Sequence, residues 1–322
     1  MHYIGIDLGG TKIAAGVTNA QGVILAEAVS ATIAGRPYQE IVKDMASCAL
    51  KALNKAGVAL FDVGAVGIGI PGIAENATGT VIFCTNLGWN NVPLAAELNK
   101  YIMKPVYIEN DATLAGLAES TAGVSRDAKS SVFITLGTGV GGGIIINGVP
   151  WTGAHGVASE IGHLTLQMGG IPCTCGKDGC LERYCSATAL IRMGKEACAS
   201  NLDSMMMNKV RGNVDHLSGK IIIDSAKEGD PPALQVFDRY TTYLAMACNN
   251  VISFLDPEMI VLGGGISLAG NFLLDAVRKK IPRYLMFKSM PSSRVELAVL
   301  GNAAGIIGAA MLCRVMEKGG HI

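Results

Sequence analysis

The chain has 322 residues, 50% of them hydrophobic and only 16% charged, with 26 Lys plus Arg set against 26 Asp plus Glu. That apolar content excludes a disordered chain, and 41 glycines without a three-residue period exclude collagen. A formal net charge of zero argues against nucleic acid or an anionic membrane surface as the main partner.

Three short β-rich runs open the chain: Tyr3–Leu8, Ile13–Thr18 and Val23–Ala28, joined by Gly9-Gly10 and by Asn19-Ala20-Gln21-Gly22. Apolar Ile41, Met45, Cys48, Ala49, Ala52 and Leu53 recur at helical spacing, predicting a helix over 37–56 with Pro37 at its first position and Gly57 at its C-cap. A buried strand over Val63–Ile70 ends at Pro71-Gly72. Another over Pro105–Glu109 runs straight into a helix beginning near Asn110-Asp111. Ser131–Val149 then restarts the opening pattern: at an offset of 128, Asp7-Leu8-Gly9 falls on Thr135-Leu136-Gly137. A long helix follows with Leu234, Phe237, Thr241, Leu244, Cys248, Val251 and Leu255 on one face, then a strand at Met259–Leu262, Gly263-Gly264-Gly265 and a further helix. A last helix over 302–314 is expected to pack back on the first lobe, and Met205-Met206-Met207 reads as loop or helix packing. The fold class is therefore α/β, two mixed lobes facing each other across a cleft. The expected division is 1–112 plus 300–322 for a small lobe and 113–299 for a large one.

The opening Met1–Asp7 lacks a basic, apolar leader, and nine cysteines, an odd number, do not suggest a disulfide framework, so a cytoplasmic protein is expected. The stretch from Ser130 to Ser159 has no charged residue but is broken by glycines and Pro150, which predicts strands and turns and no membrane span.

Two glycine turns carry the first chemical signal. Asp7-Leu8-Gly9-Gly10-Thr11-Lys12 and Gly137-Thr138-Gly139 sit where one strand folds into the next. Bare glycine amides can approach phosphate oxygens, Thr hydroxyls add donors, Lys12 adds charge, and Asp7 at a strand end can hold the magnesium of a nucleotide. An ordinary hairpin turn is the plain alternative for either one. Gly137-x-Gly139-x-x-Gly142 also fits a dinucleotide-binding pattern, but Ile144-Ile145-Ile146 predicts a strand where that motif needs a helix.

His163, Cys173, Cys175 and Cys180 make a Cys₃His set, the closed donor set of a structural zinc site; a chance cysteine cluster, with Cys185 nearby, is the alternative. Asp111 can be a helix N-cap or a general base at a strand end. Glu160 and Glu182 flank the cysteine cluster. Carboxylates, an imidazole and an amide converging on one cleft would suit a polyhydroxyl ligand, each of whose hydroxyls needs a partner when buried.

These residues together resemble the ROK family of bacterial sugar kinases and repressors, specifically its glucokinase branch. The likeness runs through Asp7–Lys12, Gly67-x-Gly69-Ile70-Pro71-Gly72, Asn86-Leu87-Gly88-Trp89, Glu109-Asn110-Asp111-Ala112, Leu136–Gly143, Glu160-Ile161-Gly162-His163 and Cys173-x-Cys175-Gly176-x-x-Gly179-Cys180-Leu181-Glu182. The resemblance implies an actin-like ATPase (ribonuclease H-like) fold, ATP and Mg²⁺ bound between lobes, structural Zn²⁺, and phosphorylation of a hexose hydroxyl, usually O6 of glucose. It also implies Asp111 as the base. Asn86, Asn110, Asp111, Glu160, His163 and Glu182 would hold the sugar, and Gly263, Gly264 and Gly265 would lie against adenine. A homodimer is implied as well. Other hexoses and N-acetylhexosamines remain alternative substrates. A sugar-sensing repressor is the alternative of a different class, disfavoured because the first strand begins at residue three and leaves no room for a DNA-binding domain ahead of it.

Overall fold

The computed structural model describes residues 1–320. The chain separates into two compact units, Met1–Phe133 with Gly143–Ser159 and Val299–Ile322, and Ile134–Gly142 with Glu160–Ala298.

The first unit opens on β1 (His2–Leu8), β2 (Lys12–Asn19) and β3 (Ile24–Ala31), an antiparallel meander. Helix α1 (Tyr38–Ala56) follows, with Pro37 just outside its first turn and Gly57 ending it at φ 65°, a left-handed conformation that glycine adopts without Cβ strain. Next come β4 (Val63–Ile70), the small antiparallel sheet β5 (Ile73–Glu75), β6 (Thr80–Cys84) and β7 (Trp89–Val92), α2 (Leu94–Asn99), β8 (Val106–Asn110) and α3 (Asp111–Ala122). The main sheet runs β3-β2-β1-β4-β8, with β1, β4 and β8 parallel. Register places Asp7 opposite Gly69 and Gly69 opposite Glu109, so two carboxylates flank a glycine in one row near the carboxyl ends of the parallel strands. Open α/β sheets offer their ligand sites at these ends.

Strands β9 (Ser130–Leu136) and β10 (Val140–Ile146) each lend residues to both units, and β11 (Val149–Pro150) pairs with the end of β10. The second unit continues through α4 (Glu182–Cys185), α5 (Ala187–Ala199), α6 (Met205–Lys209), α7 (Gly219–Lys227), α8 (Pro231–Leu255), β12 (Met259–Gly263), α9 (Asn271–Lys280) and β13 (Arg294–Leu297). The second sheet has the order β11-β10-β9-β12-β13. Phe237, Thr241, Leu244, Cys248 and Val251 of α8 are buried as their spacing predicts, whereas Leu234 in its first turn is 41% exposed and Leu255 at its end is half-buried. The Met run forms α6 and buries Met206.

Helix α10 (Ala304–Glu317) returns to the first unit and packs on β1, β4 and α3. A Cβ on Gly67 would sit 1.7 Å from the Ala309 carbonyl, so this close approach requires glycine. Helix α3 packs on α10 and on β11, and the first unit takes in 113–133 and 143–159, beyond the expected 1–112 plus 300–322. Among the described residues, no helix is long and apolar enough to cross a membrane.

Candidate functional site

In the first unit the turn between β1 and β2 closes through a bond from the Gly9 amide to the Lys12 carbonyl, 2.9 Å. Buried Thr32 pins it from outside. Its hydroxyl donates to the Gly9 carbonyl at 2.7 Å, and its amide donates to the Thr11 carbonyl at 3.1 Å. Thr11 and Lys12 remain exposed, free to meet a ligand. Burial raises the carboxyl of Asp7 above its ordinary range, with the Lys12 charge opposing. That carboxyl lies against Gly305 in the first turn of α10, where any Cβ would come within 2.6 Å of it. Asn86, exposed in the 3₁₀ turn Thr85–Leu87, borders the same glycine turn: a Cβ on Gly10 would meet its Cβ at 3.5 Å.

Where β8 becomes α3, the helix cap is Asn110 and not Asp111. The Asn110 side-chain oxygen accepts from the amides of Ala112 and Thr113 at 2.9 and 3.2 Å. Its amide nitrogen donates to the Gly72 carbonyl at 3.2 Å, which leaves one N–H of that group for a ligand. Asp111 stands half-buried as the first helical residue, with Oδ1 accepting from the Ala112 amide. Two residues on, the Thr113 hydroxyl lies 3.5 Å from that of Ser159, the residue before Glu160, held at φ 74°.

In the second unit the Gly137–Gly139 turn closes differently, by a bond from the Gly137 amide to the Gly139 carbonyl at 3.0 Å. The carbonyls of Gly137 and Thr138 accept from the Ala187 amide and the Thr188 hydroxyl, each at 2.8 Å, both at the start of α5. The Val140 amide donates to Glu182 Oε2 at 3.1 Å, and a Cβ on Gly139 would come within 2.3 Å of that oxygen. β10 follows as a strand, so the dinucleotide-binding reading fails for the expected reason.

Glu160 and His163 bracket a 3₁₀ turn, Ile161–His163, closed by the His163 amide on the Glu160 carbonyl at 3.0 Å. Residues three apart eclipse in such a turn, which brings these two to one side. The ligand atoms of His163, Cys173, Cys175 and Cys180 all lie within 4.8 Å of one another. Cys173 Sγ is 3.7 Å from His163 Nδ1, and Cys175 Sγ is 3.5 Å from Cys180 Sγ. A tetrahedral zinc ion spaces such donors roughly 3.5–3.8 Å apart, so the set fits one ion. The Lys177 amide holds Cys175 below the ordinary thiol range, while burial pushes Cys180 up to about 12. Nδ1 faces the thiols, leaving Nε2 of His163 for another partner.

Gly264, at φ 81°, has the backbone of Leu136 within 2.7 Å of its missing Cβ, so its glycine serves packing beneath the second turn. Gly265 has nothing within 4 Å, and Gly263 closes β12.

Asp7, Gly9–Lys12, Asn86, Asn110 and Asp111 thus share the first unit, and Gly137–Gly139, Glu160, His163, the three cysteines, Glu182 and Gly263–Gly265 share the second. Sequence reading missed Thr32 and Thr188, whose hydroxyls hold the two turns. A threonine in a loop carries no signal that its partner is a carbonyl distant in sequence.

A family model described as the ROK family matches residues 3–315. The glucokinase of Halalkalibacterium halodurans is 36% identical over 318 residues, covering 98% of this chain and 96% of that protein. The glucokinase of Thermotoga maritima is 35% identical over 315 residues, covering 98% of each. Among solved structures, a ROK family glucokinase from Streptomyces griseus in complex with glucose and AMPPNP superposes with a TM-score of 0.83 at 36% identity, covering 98% of this chain and 99% of that one. The chain has the two-lobed, actin-like ATPase fold of such structures.

Proposed function

We propose, because this chain belongs to the ROK family, that it is an ATP-dependent glucokinase transferring the γ-phosphoryl group to O6 of glucose. The observation that carries the reading is the full-length likeness to an enzyme solved with glucose and an ATP analogue.

In this reading Asp111 is the general base. Direct phosphoryl transfer needs the sugar oxygen in line with the γ-phosphorus and a group to accept its proton as the bond forms. A half-buried carboxylate where a strand passes into a helix suits that task. Asn86, Asn110, Glu160, His163 and Glu182 hold the remaining hydroxyls, with the spare N–H of Asn110 donating and the carboxylates accepting. Gly9 and Gly137 close the two turns through their own amides, the amides of Gly10–Thr11 and Thr138–Gly139, with Lys12, cradle the phosphates, and Gly265 offers open backbone to adenine. Asp7 is the residue for Mg²⁺, which neutralises phosphate charge when bound. His163, Cys173, Cys175 and Cys180 would hold Zn²⁺, which fixes the imidazole so that Nε2 addresses a sugar hydroxyl. The protein acts in the cytoplasm as a homodimer.

Coupled ADP release with ATP and Mg²⁺ across glucose, mannose, fructose, allose, N-acetylglucosamine and N-acetylmannosamine tests the assignment. Glucose should give the highest kcat/KM. Preference for another sugar would reassign the substrate, and sugar binding without any turnover would favour a sensor.

A further inference from the structure

Glu109 is a buried carboxyl to which the reaction above gives no role. It is 5% exposed, and burial pushes its pKa up to about 7, against the pull of the Asn110 and Asn76 N–H groups. Its two oxygens divide the work. Oε1 accepts from the backbone amide of Asn110 at 2.7 Å, and Oε2 accepts from the side-chain amide of Asn76 at 3.0 Å. The Asn76 oxygen in turn accepts from the backbone amide of Ile108 at 3.3 Å. A backbone N–H on one side and a carboxylate on the other admit one orientation of the Asn76 amide. Residues 108, 109 and 110 are therefore held together at the end of β8, immediately before Asp111.

We propose that Glu109, with Asn76, is a positioning residue for the phosphoryl transfer: it fixes the backbone of Asn110, and through it the aim of the Asn110 amide and the Asp111 carboxylate at the sugar. The proposal rests on the kinase reading. Its mechanism is local. The Asn110 amide is the last donor before the helix, and its grip sets the φ of −60° from which the Asn110 side chain can both cap α3 and reach Gly72. Releasing it lets the first turn of α3 drift, and misplacement of about 1 Å at a reacting group is enough to cost turnover.

The network can be broken and rebuilt. Glu109→Gln keeps an oxygen for Asn110 but sets its NH₂ against that of Asn76, and Asn76→Asp sets two carboxyls together. The double variant Glu109→Gln with Asn76→Asp restores every pairing, with donor and acceptor exchanged only between residues 109 and 76 and the Asn110 and Ile108 amides still donating. Steady-state kinetics with glucose, well below each variant's Tm, should show each single variant down about tenfold in kcat/KM for glucose. KM for ATP should stay within about twofold, and the double variant should recover to within about threefold of wild type. Asn76→Ala, which buries no like pair, serves if the other single variants fail to fold, and it should lose kcat/KM for glucose in the same direction. Variants with lowered Tm but wild-type kinetic constants, or a double variant no better than the singles, would overturn the proposal. Wild-type turnover on glucose is measured first. Its absence removes the kinase reading and this role with it, whereas an active wild type beside unaffected variants removes only the role of Glu109.

Discussion

The two glycine turns look alike in sequence and are built differently. The first is held by its own neighbourhood: Gly9 bonds to Lys12, Thr32 on the adjoining loop pins two of its carbonyls, and Asp7 comes from the strand that leads into it. The second borrows its support from further along the chain. Glu182, Ala187 and Thr188 hold it, and Glu182 stands two residues past the cysteine Cys180. A repeated Gly-rich hairpin thus supplies a bend and exposed amides, while the chemistry around each bend is set by what packs against it. The difference predicts that the second turn depends on the cysteine loop and the first does not.

Removing metal should separate them most. Stripping zinc with a chelator, or Cys180→Ser, should lower glucose affinity by about 10- to 100-fold together with metal content, while nucleotide binding at the first turn persists. Calorimetry with glucose on metal-free protein checks this, and normal hexose affinity there would break the coupling. Gly139→Ala comes next. Its methyl displaces the flexible Glu182 carboxylate and not backbone, so the fold should survive while KM for glucose rises about tenfold, the scale of one lost charged hydrogen bond. Gly9→Ala meets only the Lys12 carbonyl at 3.2 Å and should change KM for ATP by about threefold or less. The smallest effect is a pH dependence on the first-unit side, where Glu109 shares a strand row with Asp7. Its carboxyl is raised from 4.5 to about 7 in the fold, so the stability it contributes is present below about pH 4.5 and is lost as pH rises through about 7. Glu109→Gln should show a flatter Tm against pH over that window, and an unchanged slope would count against the burial argument.

Much of this was legible in the residues. Alternation and glycine punctuation gave β1, β2 and α1 within two or three residues, and α10 packs on the first unit as its apolar run required. The Cys₃His set was readable because its donors are chemically distinctive and close in sequence. What escaped depends on context. Asp111 and Asn110 are both good caps, and only the backbone angles choose Asn110. The turn at Ile161–His163 is too short for periodicity to mark it. Glu109 stood inside a recognised motif, yet nothing in the letters distinguishes a solvated glutamate from one held between Asn76 and a backbone amide.

Asp111 is where the account is most exposed. Turnover of glucose and ATP by Asp111→Asn, measured by ADP release alongside calorimetric glucose binding, should fall by about 10²-fold or more with binding retained. Turnover close to wild type in that variant would contradict the assignment of the base and the mechanism built on it.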